Sequence, residues 1–179
     1  EGTACSMARC YSVGMAKRQS VPCLVLISDA RNAATLERAL ARLPRGSALV
    51  FRHYHLAPAQ RRARFDRLAR IARGHGVRII GARVPQGWRA DGVYGSPSEI
   101  AGAKGLCLAT AHSLREIGRA ARAGADAVLL SPVFPTRSHP GAAVLGPVRF
   151  GLMARHSPVP VIALGGMTRR RAATLPVHG

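Results

Sequence analysis

The chain has 179 residues, enough for one domain with one core and too few for a second. Apolar residues make up 47% and aromatic residues only 4%, so the core must be built from Ala, Val, Leu and Ile, which suits parallel strands buried on both faces. Net charge is +19, with 25 Arg against 2 Lys and no basic tail; this field favours anionic partners such as phosphorylated metabolites, nucleic acid or a membrane surface, while the scarcity of stacking aromatics argues against a single-strand binder. No apolar run approaches the ~18 residues needed to cross a bilayer, so no membrane partner is expected. Residues 1–22 are mixed, without a continuous apolar stretch, and read as an N-terminal extension, partly disordered or added, rather than a signal peptide. Residues 23–179 form the domain. Cys5, Cys10, Cys23 and Cys107 show no CxxC pair. Structural zinc is not expected, Cys23 and Cys107 fall in apolar runs as core thiols, and a reducing cytoplasm is the simplest setting.

Taken in order, Pro22–Ile27 is an apolar run of strand length ending at Ser28-Asp29. Leu36, Ala39, Leu40 and Leu43 recur at helical spacing, which predicts a helix from Thr35 to Leu43, stopped by Pro44-Arg45-Gly46. Ala48–Phe51 is the next strand and leads into Arg52-His53-Tyr54-His55. Pro58 suits a first helical turn, and the basic helix 59–73 carries Phe65, Leu68, Ala69 and Ala72 on one face. Strands follow at 77–80 and 90–94, then a short helix at 97–103 and a strand at 105–109. Ser113 and Glu116 predict a capping box opening the helix that runs to Ala123. Ala127–Leu130 is a strand ending in Ser131-Pro132, and the Pro- and Gly-rich loop 131–147 is long enough to be functional. A helix near 148–156, a strand at 159–164 and a helix at 169–174 behind Thr168 complete the chain.

Strands alternating with helices give a parallel sheet. No Gly-x-Gly-x-x-Gly follows the first strand, which argues against a doubly wound sheet. Seven clear strands and the stub of an eighth predict an α/β fold, a TIM (β/α)8 barrel with an abbreviated or missing last βα unit. Function is then expected on the loops at the carboxyl ends of the strands. Gly165-Gly166 exposes main-chain N–H groups that can hold a phosphate without any side chain. An incomplete last unit would leave an edge for a homodimer to cover.

These pieces together resemble the thiamine phosphate synthase family and its sister branch, the thiazole tautomerases. The resemblance rests on Ala90-Asp-Gly-Val93, Thr110-Ala-His112, Gly124-Ala-Asp126, Ser131-Pro-Val-Phe-Pro-Thr136 and Pro160-Val-Ile-Ala-Leu-Gly-Gly166, in order and at the family's spacing. It implies a TIM barrel acting on a phosphorylated thiazole. The synthase branch joins that compound to a pyrimidine diphosphate, releases pyrophosphate and uses magnesium. The tautomerase branch aromatises the thiazole without metal. By the same resemblance, Gly165 and Gly166 would hold the phosphate, and Arg52, Thr110, Ser131, Thr136, Ser138 and His139 would meet the substrate. His112 would move the proton, work that suits an imidazole with a pKa near ~6.5.

The departures from the pattern are as informative as the matches. Gly81 and Ala82 stand where the family has Asn-Asp, and Ser96, Ser98 and Glu99 where it has a second Asp. Magnesium wants carboxylate oxygens, and the whole chain holds only 8 acidic residues. Val50 and Tyr54 flank Arg52 in place of the family's Gln and Lys, and His139 replaces a Lys. A tautomerase-like or degenerate member is therefore favoured, with no cofactor; magnesium belongs only to the alternative of an active synthase. A non-catalytic binder of phosphate ligands, or a nucleic-acid binder drawn by charge with steep salt dependence, are the rivals.

Overall fold

The computed structural model describes residues 7–11 by their backbone, and residues 19–136, 141 and 143–176 in full. Eight strands close a barrel in chain order. Strand β1 is Met7–Tyr11, followed by β2 Leu24–Ile27, β3 Ala48–Phe51, β4 Arg78–Gly81, β5 Gly92–Gly95, β6 Leu106–Ala111, β7 Ala127–Leu130 and β8 Val161–Ala163. From β2 to β8 every neighbouring pair is parallel. Strand β1 runs antiparallel to both β2 and β8, pairing Met7 with Leu26 and Cys10 with Ile162. Seven parallel strands alternating with helices match the predicted TIM-barrel architecture. The edge for which the sequence suggested a second copy is met by β1, a strand that periodicity does not reveal within residues 1–22.

The helices are α1 Leu36–Ala41, α2 Pro58–Gly74, α3 Pro97–Ile100, α4 Leu114–Arg122, α5 Gly146–Arg155 and α6 Arg169–Ala172. None of them is long and apolar enough to cross a membrane. Helix α1 is shorter than its periodicity predicts. Asp29 accepts from the Arg31 N–H (2.7 Å) and Asn32 takes the Asp29 N–H (2.9 Å), and these local bonds fold residues 30–32 into a separate 3₁₀ turn. Leu36 and Leu40 still bury the predicted face.

Alternation along the strands fixes two layers. Val25, Ile27, Ala48, Val50, Ile80, Leu106, Leu108, Ala127, Leu129 and Ile162 pack with one another and fill the barrel. Their alternates face the helices. Leu26, Leu49, Phe51 and Ile79 meet Phe65 and Leu68 of α2. Cys107, Ala109, Val128 and Leu130 meet Ile117 of α4 and Phe150 of α5. Each such Leu, Ile or Phe contributes about 1.5–3 kcal/mol by leaving water. Cys107 is buried as expected, and burial pushes its thiol up. Cys23 is exposed instead: it lies one residue before β2, at the amino end of the barrel, outside both layers.

The same phase carries on past each strand's carboxyl end. Asp29, Arg52, Ala82, Thr110, His112 and Ser131 continue the inward set and so ring the barrel mouth. Ser28 and His53 continue the outward set and are buried against the helices.

Candidate active site

One side of the mouth is laced together by main chain. The Ser131 N–H donates to the Ala111 carbonyl (3.1 Å), the Val133 N–H to Leu164 (2.9 Å) and the Phe134 N–H to Gly165 (3.1 Å). His112, Ser131 and Gly165 therefore sit on adjacent strand ends, with His112 and Gly165 two strand spacings apart, about 10 Å. His112 is exposed, and its Nδ1 lies 2.7 Å from the Ser131 carbonyl oxygen. A carbonyl can only accept, so Nδ1 carries a proton, and in the neutral ring Nε2 is then the basic nitrogen. The backbone of His112 is held too. Glu116 Oε2 accepts the His112 N–H at 2.7 Å, while Ser113 Oγ takes the Glu116 N–H at 3.2 Å. The predicted capping box thus forms in one direction only, and the returning carboxylate anchors the histidine instead of the cap residue.

Gly165 and Gly166 have φ of +95° and +60°. A Cβ on Gly165 would lie 2.8 Å from Pro132 Cα, and one on Gly166 would collide with the Pro135 carbonyl. Glycine is required at both. Among the described residues neither N–H has a backbone acceptor, whereas the Gly166 carbonyl receives Arg171 Nη1 at 2.6 Å. Arg171 also lies 5.1 Å from the Phe134 ring centre, so it is a brace for the loop. Thr110 Oγ1 reaches the Gly95 carbonyl only at 3.5 Å. Thr136 is half-buried on the loop after β7. Ser138 and His139 lie outside the described residues.

The opposite side of the mouth is built by side chains of which sequence reasoning had singled out Arg52 but not Arg61 or Ser28. Arg52 stands across the barrel from His112, 5.6 Å from the exposed Tyr54 ring. Arg61, on α2, reaches back to the rim. It donates to the carbonyls of Arg83 (2.9 Å), Ala82 (2.7 Å) and, at 3.4 Å, Arg52, while its guanidinium lies 5.5 Å from each of the Phe51, Tyr54 and Trp88 rings. Below it, Ser28 Oγ accepts the Arg52 N–H (2.9 Å) and meets His53 Nδ1 (2.9 Å). His53 Nε2 is buried without a hydrogen-bond partner among the described residues. Burial, with Arg64, His55 and Arg61 nearby, lowers the His53 pKa to about 4. Asp29 is held at about 2 by its bonds to Arg31. Apart from Arg52, the signals for this side were single residues of common type, with no motif to mark them.

A hollow of about 550 Å³ lies at the other end of the barrel, between Cys23, Arg45, Gly76 and Arg78. It touches none of these rim residues. In parallel barrels the amino end carries stability and the carboxyl end carries chemistry, so the rim keeps the assignment.

Residues 23–179 match the thiamine monophosphate synthase family. The chain belongs to that family. It is 32% identical to the thiamine-phosphate synthase of Thiobacillus denitrificans over 129 residues, 65% of this chain and 61% of the relative. The chain thus matches less than two thirds of that relative's length. In structure it resembles a thiamine phosphate pyrophosphorylase from Pyrococcus furiosus, with a TM-score of 0.70, 24% identity, and coverage of 84% of this chain and 78% of the other. That likeness confirms the fold.

Synthases of this family use magnesium, and the rim offers no fit for it. Gly81 and Ala82 bring no carboxylate, and a Cβ on Gly81 would strike Val84. Of the acids at the mouth, Asp29 has both carboxylate oxygens on Arg31, and Glu99 likewise has both oxygens engaged. Oε1 takes Arg83 Nε at 2.6 Å, and Oε2 takes the Ser96 N–H at 2.7 Å and the Ser96 hydroxyl at 2.9 Å. Among the described residues no three His, Cys, Asp or Glu side chains gather as metal ligands.

Proposed function

We propose that this thiamine monophosphate synthase family member acts on a phosphorylated thiazole in the manner of a tautomerase, moving a proton without metal. The observation that carries this reading is the His112 Nδ1–Ser131 carbonyl contact of 2.7 Å. It fixes the tautomer with a basic Nε2 at the mouth, ready to take a proton from one ring position and return it at another. No electrons leave the substrate, so no oxidant is needed. The Gly165 and Gly166 amides would hold the phosphate, with Thr110, Ser131, Thr136, Ser138 and His139 around the ring and Arg52 across the mouth. The free thiols of Cys23 and Cys107 suit a reducing cytoplasm.

The relatives' names favour a second reading, the synthase itself. For this chain it would require pyrophosphate to leave without a metal cradle. Purified protein incubated with the non-aromatic tautomer of the thiazole phosphate carboxylate, and separately with thiazole phosphate plus pyrimidine diphosphate, each with magnesium and with EDTA, separates the readings. Metal-independent aromatisation is the expected result. Pyrophosphate release without aromatisation would establish the synthase. Neither product, with thiazole phosphate still bound, would establish a binder.

A further inference from the structure

The hollow of about 550 Å³ at the amino end of the barrel has a chemistry of its own. Its volume is that of a small-molecule site, about 300–1,000 Å³. Among the described residues, two arginines and no acid line it. Arg78 is anchored on its wall, where Nη2 donates to the Ser20 carbonyl at 2.6 Å. Arg45 lies against Gly76: a Cβ there would stand 3.0 Å from its Cζ and 3.2 Å from its Nε and Nη2. The Gly76 carbonyl in turn accepts the Gly46 N–H at 2.9 Å, which ties the two turns together. The Arg45 guanidinium has no acceptor among the described residues. Ser47 lines the same space and is only 3% exposed. Its main chain bonds Pro44 and Arg78, but its hydroxyl has no hydrogen-bond partner among the described residues. A buried hydroxyl left so costs free energy unless something in the hollow meets it. Cys23, a free and exposed thiol, opens onto this space.

We propose that this hollow is a thiol-modification site, in which Cys23 forms a mixed disulfide with a small disulfide bearing carboxylates, of the glutathione class. Arg45 and Arg78 pair with the carboxylates, and the Ser47 hydroxyl donates to one of them. The Cys23 sulfur gives its proton to water and attacks one sulfur of the small disulfide. A bond forms between the two sulfurs, the incoming S–S bond breaks, and the departing thiolate takes up a proton. Cys23 is oxidised and the departing thiol is reduced, so no further oxidant takes part. Cys107, buried between strand and helix, is closed to the same exchange. The site lies at the opposite end of the barrel from the mouth and stands whether or not the Proposed function does.

The test exposes the reduced whole protein to three small disulfides at one pH: glutathione disulfide, which is anionic, bis(2-hydroxyethyl) disulfide, which is neutral, and cystamine, which is cationic. Peptide-resolved mass spectrometry follows the adduct at each cysteine, and each rate is divided by that reagent's rate with a small neutral thiol. At Cys23 the normalised rates should fall in that order. Glutathione disulfide should lead the neutral reagent by ~10-fold, and added salt should shrink the lead. Arg45→Gln, which breaks no hydrogen bond, should cut the lead ~3-fold, and Arg78→Gln added to it should abolish what is left. Arg115→Gln, on α4 at the carboxyl end of the barrel, should leave the lead unchanged. In a fixed glutathione redox buffer, Ser47→Ala should lower the ratio of adduct to free thiol at Cys23 ~3–10-fold, the weight of one hydrogen bond to a charged group. Should the double variant fold poorly, Arg45→Gln against Arg115→Gln decides the matter. Equal normalised rates for the three reagents would make Cys23 merely exposed and overturn the proposal. Equal losses in Arg45→Gln and Arg115→Gln would assign the preference to the chain's net charge and overturn it too, as would a Cys23 that no reagent labels.

Discussion

The two halves of the barrel mouth are made of different material. From β6 to β8 the rim is main chain: carbonyls, amides and two glycines, with one histidine oriented by a carbonyl. From β2 to β5 it is side chain, with three arginines around Tyr54 and a buried neutral histidine beneath them. A backbone-built site tolerates change in most side chains but almost none in its glycines. A side-chain-built site can exchange one cation for another while the strands stay put. The family's resemblance is strong in the first half and breaks in the second, which is what that contrast would produce.

The largest effect should come from the single side chain on which the backbone half depends. His112→Gln keeps an N–H for the Ser131 carbonyl and removes the base. Metal-free aromatisation should fall ~10²–10⁴-fold, the usual weight of a positioned acid–base group, while thiazole phosphate affinity holds within ~2-fold. Loss of affinity instead would make His112 a binding residue and move the chemistry elsewhere.

In the other half the sharpest handle is pH. His53 is buried, and its pKa falls to about 4 from an unfolded value near 6.5. Between those values the unfolded chain binds a proton that the folded protein refuses. Stability is therefore full above pH ~6.5 and declines as pH falls toward 4, by roughly 3 kcal/mol in all. Urea midpoints across pH 4–7.5 measure it. His53→Phe, which keeps the stack on Phe51 (4.9 Å, 15°), should flatten that window. Asp29 and Glu99, both held at about 2, lose their contribution only below the carboxylate range, so the two windows separate. An unchanged slope in His53→Phe would assign the loss to another group.

Arg61 comes next. Arg61→Met keeps packing against Phe51, Tyr54 and Trp88 but strands the Ala82 and Arg83 carbonyls and frees the left-handed turn at Arg83, whose φ is +50°. A loss of about 2 kcal/mol is expected by thermal or urea unfolding, with His112-dependent activity little changed. A comparable loss of activity would show that the two halves are mechanically coupled.

What the sequence made legible follows the same division. Strands β2 to β8 are apolar runs ended by polar or glycine turns, and local pattern suffices for them. His112, Ser131 and Gly165-Gly166 lie in a fixed motif, so their neighbourhood could be read in advance. Strand β1 was not readable, because its place depends on pairing with Leu24–Leu26 and Val161–Ile162, far along the chain. Cys23 has apolar neighbours that suggest core, yet it precedes β2 and is exposed between a buried Pro22 and the half-buried Leu24. Arg61 looked like one basic residue among many on α2. Its partners are carbonyls, which carry no sequence signature, and the bond from Arg83 Nε to Glu99 carries none either.

The smallest effect bears on whether Thr110 belongs to the site or only ends a strand. Its Oγ1 lies 3.5 Å from the Gly95 carbonyl, at the outer limit for a hydrogen bond, so that contact contributes little to the fold. Thr110→Val keeps the β-branched shape and removes only the hydroxyl. Stability should stay within about 0.5 kcal/mol. Thiazole phosphate affinity should still fall ~3–10-fold, the weight of one neutral hydrogen bond of about 1 kcal/mol. If affinity is unchanged, Thr110 is a strand terminus, and recognition at β6 passes through His112 alone. If stability falls instead, the Gly95 contact is tighter in solution than its length implies, and Thr110 joins β5 to β6 across the boundary between the two halves of the rim.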